Sequence, residues 1–455
     1  MTRPRLRTIT AGLVGLSVLA VAGCTPLTGN RTVSVLATWT GTEADDFEKV
    51  LDAFSEKTGI RYEYTGTRAL DETLQSNLRR GTPPHVAILS STGDLARYAR
   101  SGDLVPLGRV LSSARQDEYK RSWLLPLKGE IYTVPIKVNL KSIIWYNPSR
   151  LPGPTPRSWE ELLTRSRTIA DRRQTPWCMG MRDTYSSGWP GTDWIEDILL
   201  HQAGPETYRQ WAAGTLKWTS PEVENAWKTW GEIVATPGFV HEGPMAALLT
   251  DFGDAGRAMF ADPPGCFLEH QASFITGVYR AEGGAGGAPE AGRKLPEPEK
   301  DFDFFPFPSF DRNGGDPAGQ PVVASADLAG MFNDTPEARE LIEFLASEEA
   351  QRNWPGRRGG GAFSVNRKVP PDAHHPDDRI GRRIAEALGS ADAVCLDASD
   401  LMAPALRDAF NGAVLEYLHD PKRLRPLLAE LDKVRTQSNP TEQEQKELHD
   451  LSCTG

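Results

Sequence analysis

VSVLATWTGTEADDFEKVLDAFSEKTG, Val33 to Gly59, is the stretch whose reading decides the fold. Val33 to Thr38 is short and β-branched, and turn residues follow it at Trp39-Thr40-Gly41-Thr42, so it reads as a strand. Thr42 and Asp45 then have the three-residue spacing of a capping box, and Phe47, Val50, Leu51 and Phe54 recur at i, i+3, i+4, i+7 until Gly59. A strand, a tight loop and an amphipathic helix follow one another. The pattern repeats: RYEYTG (Arg61 to Gly66) and HVAILS (His85 to Ser90) read as strands, Asp71 to Arg80 as a helix, and a further helix begins near Asp94. Strands alternating with helices predict a parallel sheet with right-handed crossovers.

Ligands of such sheets sit beyond the carboxyl ends of the strands, where helices begin with unpaired N–H groups. The loops there are Trp39-Thr40-Gly41-Thr42 and Ser90-Ser91-Thr92, both rich in hydroxyls and one with a tryptophan. They predict a mouth for a polar, ring-shaped ligand.

Farther along, GEIYTVPIKVNLKSIIWYN (Gly129 to Asn147) reads as strands leaving the first lobe. Helices are expected over Trp159 to Arg172, Trp194 to Gln202, Pro205 to Ala213 and Pro221 to Val234, a strand over Val322 to Phe332, and one long amphipathic helix over Pro336 to Trp354. SGWPGTDW, Ser187 to Trp194, sets two tryptophans around a Pro-Gly turn with a carboxylate, Asp193, beside the second. Flanking a turn and not forming a helix stripe, Trp189 and Trp194 are candidate platforms for a ligand.

The first 23 residues read as an export signal: Arg3, Arg5 and Arg7 precede an apolar run, Ala11 to Ala22, which is too short to span a bilayer. VAGC, Val21 to Cys24, resembles the bacterial lipobox, which implies a diacylated Cys24 and an anchor on the outer face of the cell membrane. Residues 24–31 then serve as a lipidated tether. The formal net charge of −10 and the scattered basic residues argue against nucleic acid as a partner. A chain of 455 residues exceeds what one core holds, so two lobes are expected. Four further cysteines, Cys178, Cys266, Cys395 and Cys453, allow three disulfide connectivities; we favour Cys178–Cys266 together with Cys395–Cys453, over free, buried thiols.

Catalytic signatures are absent: the chain has no GxSxG elbow, no HExxH, no Walker loop and no GxGxxG after a strand. His374, His375, Asp377 and Asp378 lie among prolines and read as solvated, so no metal and no cofactor are expected. What remains is a vocabulary for binding sugars, whose C–H faces stack on aromatic rings and whose hydroxyls pair with carboxylates and charged donors. Trp39, Trp189, Trp194 and Trp230 are the candidate rings, and Ser90, Lys137 and Asp193 the candidate polar partners.

The runs VLATWTGTEADDFEKVLDAFSEKTG, LRRGTPPHVAIL, LARYARSGDLVPL, VPIKVNLKSIIWYN, SWEELL and IEFLASEEAQRNWPGRRGGGAFSVNRKV together resemble the extracellular solute-binding proteins, family 1, of ABC sugar importers. GWPGTDWIEDILL, PPGCFLEHQASFI and LDASDLM resemble the branch associated with α-glucosides and related oligosaccharides. The resemblance spans essentially the whole chain after the signal. It implies an α/β, two-lobed periplasmic-binding-protein fold of type II, each lobe a mixed, mainly parallel sheet flanked by helices, with a strand hinge. Residues 32–140 and 320–370 would form the first lobe, and 141–319 and 371–455 the second lobe with the C-terminal helices. It further implies a monomer that is no enzyme, takes a carbohydrate by lobe closure, and delivers it to permease subunits with a cytoplasmic ATPase. Carried over, it supports Trp39, Thr40, Ser90, Ser91, Lys137, the loop with Trp189, Asp193 and Trp194, and the turn with Gly360 and Gly361 as ligand residues, and it pairs Cys178 with Cys266. Two alternatives stand beside this reading. A binding protein for a peptide or polyol would lack stacked aromatics, and a secreted glycan-acting enzyme would need two carboxylates facing each other about 5–9 Å apart.

Overall fold

The computed structural model of the chain describes residues 31–124, 126–151, 153–280, 295–311, 319–357, 361–438 and 440–454. The signal segment, Cys24, most of the tether and Gly360 lie outside the described residues. Two sheets organise the rest. The larger contains β1 (Thr32–Ala37), β2 (Arg61–Gly66), β3 (Val86–Leu89), β4 (Thr133–Leu140), β8 (Val322–Met331), β9 (Val394–Leu396) and β10 (Cys453–Thr454), in the order β10-β9-β8-β3-β1-β2 with β4 also on β8. The smaller runs β6-β5-β7, from β5 (Ile143–Tyr146), β6 (Leu268–His270) and β7 (Asp303–Pro306).

β1 pairs in parallel with β2 and β3, as strand-helix alternation dictates; the returning strand β8 runs antiparallel to both β3 and β4. The larger sheet is therefore mixed. The smaller departs from the mainly parallel expectation, because β5 pairs antiparallel with both neighbours. Between β5 and β6 the chain makes a long excursion through helices and returns on the opposite heading.

α1 (Thr42–Thr58) buries Phe47, Val50, Leu51 and Phe54 against the larger sheet, and Gly59 closes it in the left-handed conformation with its N–H on Ser55 O. The expected capping box is not formed: Gly41, at φ 60°, is the N-cap, and no side chain caps the helix. Thr42 already lies inside the first turn. α2 (Leu70–Arg79) follows β2, and α3 (Thr92–Ser101) follows β3, where the Ser91 hydroxyl accepts from Asp94 N–H. The single helix expected over Pro336 to Trp354 is two, Pro336–Leu345 and Glu348–Asn353, because Ser347 caps a new start. Nor are His374 and Asp378 solvated: His374 is buried against the Phe363 ring, and Asp378 caps the helix Arg379–Ser390.

Only Lys141 and Ser142 separate β4, in the larger sheet, from β5, in the smaller. Ser142 binds both sides: its hydroxyl accepts from Val323 N–H of β8, and its carbonyl accepts from Phe307 N–H just past β7. Disulfides join Cys178 to Cys266 and, across the β9–β10 pair, Cys395 to Cys453. No helix among the described residues is long and apolar enough to cross a membrane.

Candidate functional site

A cleft of about 600 Å³ opens over β4 and β8 of the larger sheet, beside the crossover into the smaller. Its floor comes from two antiparallel strands of the larger sheet. A strand turns alternate residues to one face, so Lys137, Asn139 and Lys141 emerge together while Val138 and Leu140 enter the core. Asp327 lies opposite Lys137 and Ser325 opposite Asn139 on β8, and all five line the cleft. This polar ladder was legible as three polar residues at spacing two in an otherwise apolar run. Only Lys137 is among the candidates read from the sequence.

In one wall lies Trp39, two residues past β1 and only 2% exposed. Its ring meets Phe47 and Trp354 edge-on, at centroid distances of 4.9 and 4.8 Å, and Lys137 Nζ lies 5.9 Å from its centre. Lys137 is ion-paired with Glu43 of α1. Burial pushes the Asp327 carboxyl up to about 6 despite the opposing charge of Lys137.

The opposite side is built by the GWPGTDW segment. It is not a turn between two rings: Gly188, at φ 107°, caps a helical run, Trp189–Ala212, that begins at the first tryptophan and is broken by the non-helical Gly204, as the expected start of a new helix at Pro205 requires. Pro190 fits because the first turn has no N–H partner to lose. A side chain on Gly188 would lie 2.5 Å from Asn411 O, so glycine is required there on two counts. At 3.6 residues per turn, positions four apart share a face, and positions five apart are rotated by about 140°. Hence Trp189 faces the cleft, leaning on Phe252 and donating to Asp183 Oδ2 (3.0 Å), and Asp193 lies below it on the same face. Trp194 instead enters the core, 2% exposed, against Trp177 and His270. Trp230 is likewise core, packed on Tyr417 from the helix Pro221–Val234.

Of the residues expected from sequence, Trp39, Ser90, Ser91, Lys137 and Trp189 line one cleft. Asp193 lies just beneath it, Thr40 and Gly361 lie off it, and Trp194 and Trp230 are in the core.

Lys141 is the residue that sequence reasoning missed. It sits in the two-residue crossover, 6% exposed, and donates to Asp193 Oδ1 (2.8 Å) and to Asp397 Oδ2. Burial raises the Asp193 carboxyl to about 7 against the pull of Lys141. Burial acts the same way on Asp397, but there Lys141 and the hydrogen bonds from Ser399 Oγ and Asp400 N–H prevail and hold it below the ordinary range. Glu196 and Asp400, buried beside these anions, are pushed well up. From the start of α3, Ser91 Oγ donates to Asp400 O (3.1 Å), and Arg407 reaches back to Ser91 Oγ (2.9 Å) and Asp94 (2.8 Å).

The arrangement provides stacking surface and hydrogen-bonding groups, and no group of three or more metal-ligating side chains exists among the described residues.

Residues 40–352 match the family described as bacterial extracellular solute-binding protein. The chain is 32% identical to the osmoprotective compounds-binding protein GgtB of Synechocystis sp., over 91% of this chain and 95% of that one. It is 33% identical to the alpha-glucosides-binding periplasmic protein AglE of Rhizobium meliloti, over 71% and 70%. Among solved structures, a chitin oligosaccharide binding protein shares the fold with a TM-score of 0.73 at 19% identity, covering 90% of this chain and 100% of that one.

Proposed function

The chain belongs to the bacterial extracellular solute-binding proteins, a family of binding proteins and not of enzymes, and we propose that it captures a carbohydrate for an ABC importer. The observation that carries this reading is a cleft with the partly exposed Trp189 in one wall, the nearly buried Trp39 in the other, and a floor of alternating polar residues between them. Rings bind the C–H face of a pyranose, and the ladder of Lys137, Asn139, Lys141, Ser325 and Asp327 meets its hydroxyls. A solute touching both sides stabilises the closed form over the open one by its differential affinity, and that closed form is what a permease recognises.

The names of AglE and GgtB favour an α-glucoside or a small osmoprotective solute as the ligand. The first lobe takes residues 32–140 and 320–370 and the second 141–319 and 371–455, so that the larger sheet crosses between the lobes where β9 pairs with β8. Cys24 is the lipidated residue, residues 24–31 are its tether, and the body is a monomer at the outer face of the membrane.

Calorimetric titration of residues 25–455 with maltose, maltotriose, trehalose, cellobiose and sorbitol tests the reading. Saturable heat with at least one α-linked glucoside, the sugar being recovered intact, is the expected result. Silence across the panel would overturn the α-glucoside assignment, and consumption of the sugar would overturn the binding role.

A further inference from the structure

The charge of the cleft and its spare hydrogen-bonding capacity are of one kind. Nine of its lining residues are acidic and five are basic. Each of the five cations is already committed to a carboxylate of the protein: Arg68 and Lys137 to Glu43, Arg97 to Asp71 and Asp94, Lys141 to Asp397, and Arg407 to Asp94. Three lining carboxylates, Glu72, Asp183 and Asp327, have no ion-pair partner among the described residues.

Two neutral acceptors add to this surplus. Asn139 of β4 and Asn411 of the helix Pro404–His419 line the cleft with side chains more than nine-tenths buried, and each leaves its Oδ1 without a hydrogen bond. The Asn411 amide nitrogen is already used on Ser186 Oγ. A buried acceptor left unmatched costs roughly 1–3 kcal/mol, so these two oxygens call for donors from a ligand.

Carbonyl and ionised carboxylate oxygens only accept. Hydroxyls and ammonium groups satisfy them. A carboxylate or phosphate on the ligand offers no proton and brings a like charge into a cleft where repulsion is less screened than in water. We propose that the cleft selects by charge, admitting neutral and amino-bearing sugars and refusing sugars that carry a carboxylate or phosphate. This rests on the carbohydrate reading and adds to it a basis for discrimination that shape alone does not supply.

The test is calorimetry on residues 25–455 with maltose and trehalose, their 6-phosphates, and their 6-amino-6-deoxy analogues. The neutral and amino sugars should bind within about tenfold of one another, and the phosphates should bind about thirtyfold or more weakly. Phosphates that bind as well as their parents would overturn charge selection while leaving the carbohydrate reading intact. Binding by none of the six would overturn the α-glucoside assignment and the inference with it. To separate charge from bulk, the phosphate-to-neutral affinity ratio is measured again in Asp327→Asn and in Asp408→Asn, the latter an exposed carboxylate at the rim. The ratio should narrow by about threefold or more in each, and at raised salt. A ratio unmoved by both variants and by salt would mean steric rejection and would overturn the proposal.

Discussion

Replacing Lys141 with methionine removes the one cation at the crossover while keeping the length and volume of the side chain. In the native protein its ammonium is shared between Asp193 and Asp397, all three nearly fully buried. Breaking a buried ion pair by deleting one partner costs about 3–5 kcal/mol, because the other is left charged in a poor solvent. Here two carboxylates are stranded, beside Glu196 and Asp400, which are already pushed up. With an unfolding entropy of about 2.1 cal/mol/K per residue over roughly 400 folded residues, the loss corresponds to a fall of about 4–6 °C in Tm. The pH dependence has a definite sign. Asp193 has a folded pKa of about 7 against an ordinary 3.8, so between those values the folded chain holds a proton that the unfolded chain has lost. Its contribution to stability therefore declines as pH rises through that window. Without Lys141, Asp193 rises further and Asp397 loses the charge that holds it low, so both protonate more readily, and the deficit should be smallest near pH 5 and largest near pH 8. Urea unfolding of both proteins at these two pH values, followed by tryptophan fluorescence, measures it. A deficit below about 1 kcal/mol at pH 8, or one larger at pH 5 than at pH 8, would refute the assignment of Lys141 as the counter-charge of this cluster.

Three further outcomes follow from the geometry. Trp189→Ala should weaken sugar binding about tenfold or more with little change in stability, whereas Trp194→Ala should cost about 3–5 kcal/mol of stability; equal behaviour of the two in titration and unfolding would contradict their opposite placement. Removing the Cys178–Cys266 disulfide by a double alanine substitution opens a loop of sequence separation 88, with an expected loss of about 4 kcal/mol in urea unfolding. In Gly93→Ala the new Cβ would lie 2.0 Å from Met402 O, so the start of α3 must shift. A stability loss of about 1–3 kcal/mol should accompany weaker binding, because Ser91 and Arg407 meet at that contact, and unchanged melting and titration curves would remove the contact from the site.

Much of the fold was legible locally. Strand-helix alternation from Thr32 to Ser101 appears within a residue or two of its expected bounds, because periods of 2 and 3.6 are written into neighbouring residues. Boundaries failed where a cap competed with periodicity, as at Gly188, where Pro190 looked like a turn but opens a helix. That error carried into the site: two rings expected to flank a loop are instead set about 140° apart on one helix.

The sequence by itself determined the class of the protein, the identity of the Trp39 and Ser90-Ser91 loops at the strand ends, and the strand-like run that carries Lys137. Each of these is a property of spacing within a short segment. Only the tertiary structure decided which tryptophan faces the cleft, and that Lys141 meets Asp193 and Asp397, partners 52 and 256 residues away. The reason is physical: periodicity orients a side chain relative to its own helix or strand, but a buried charge is stabilised by whichever distant groups the topology brings within a few ångströms.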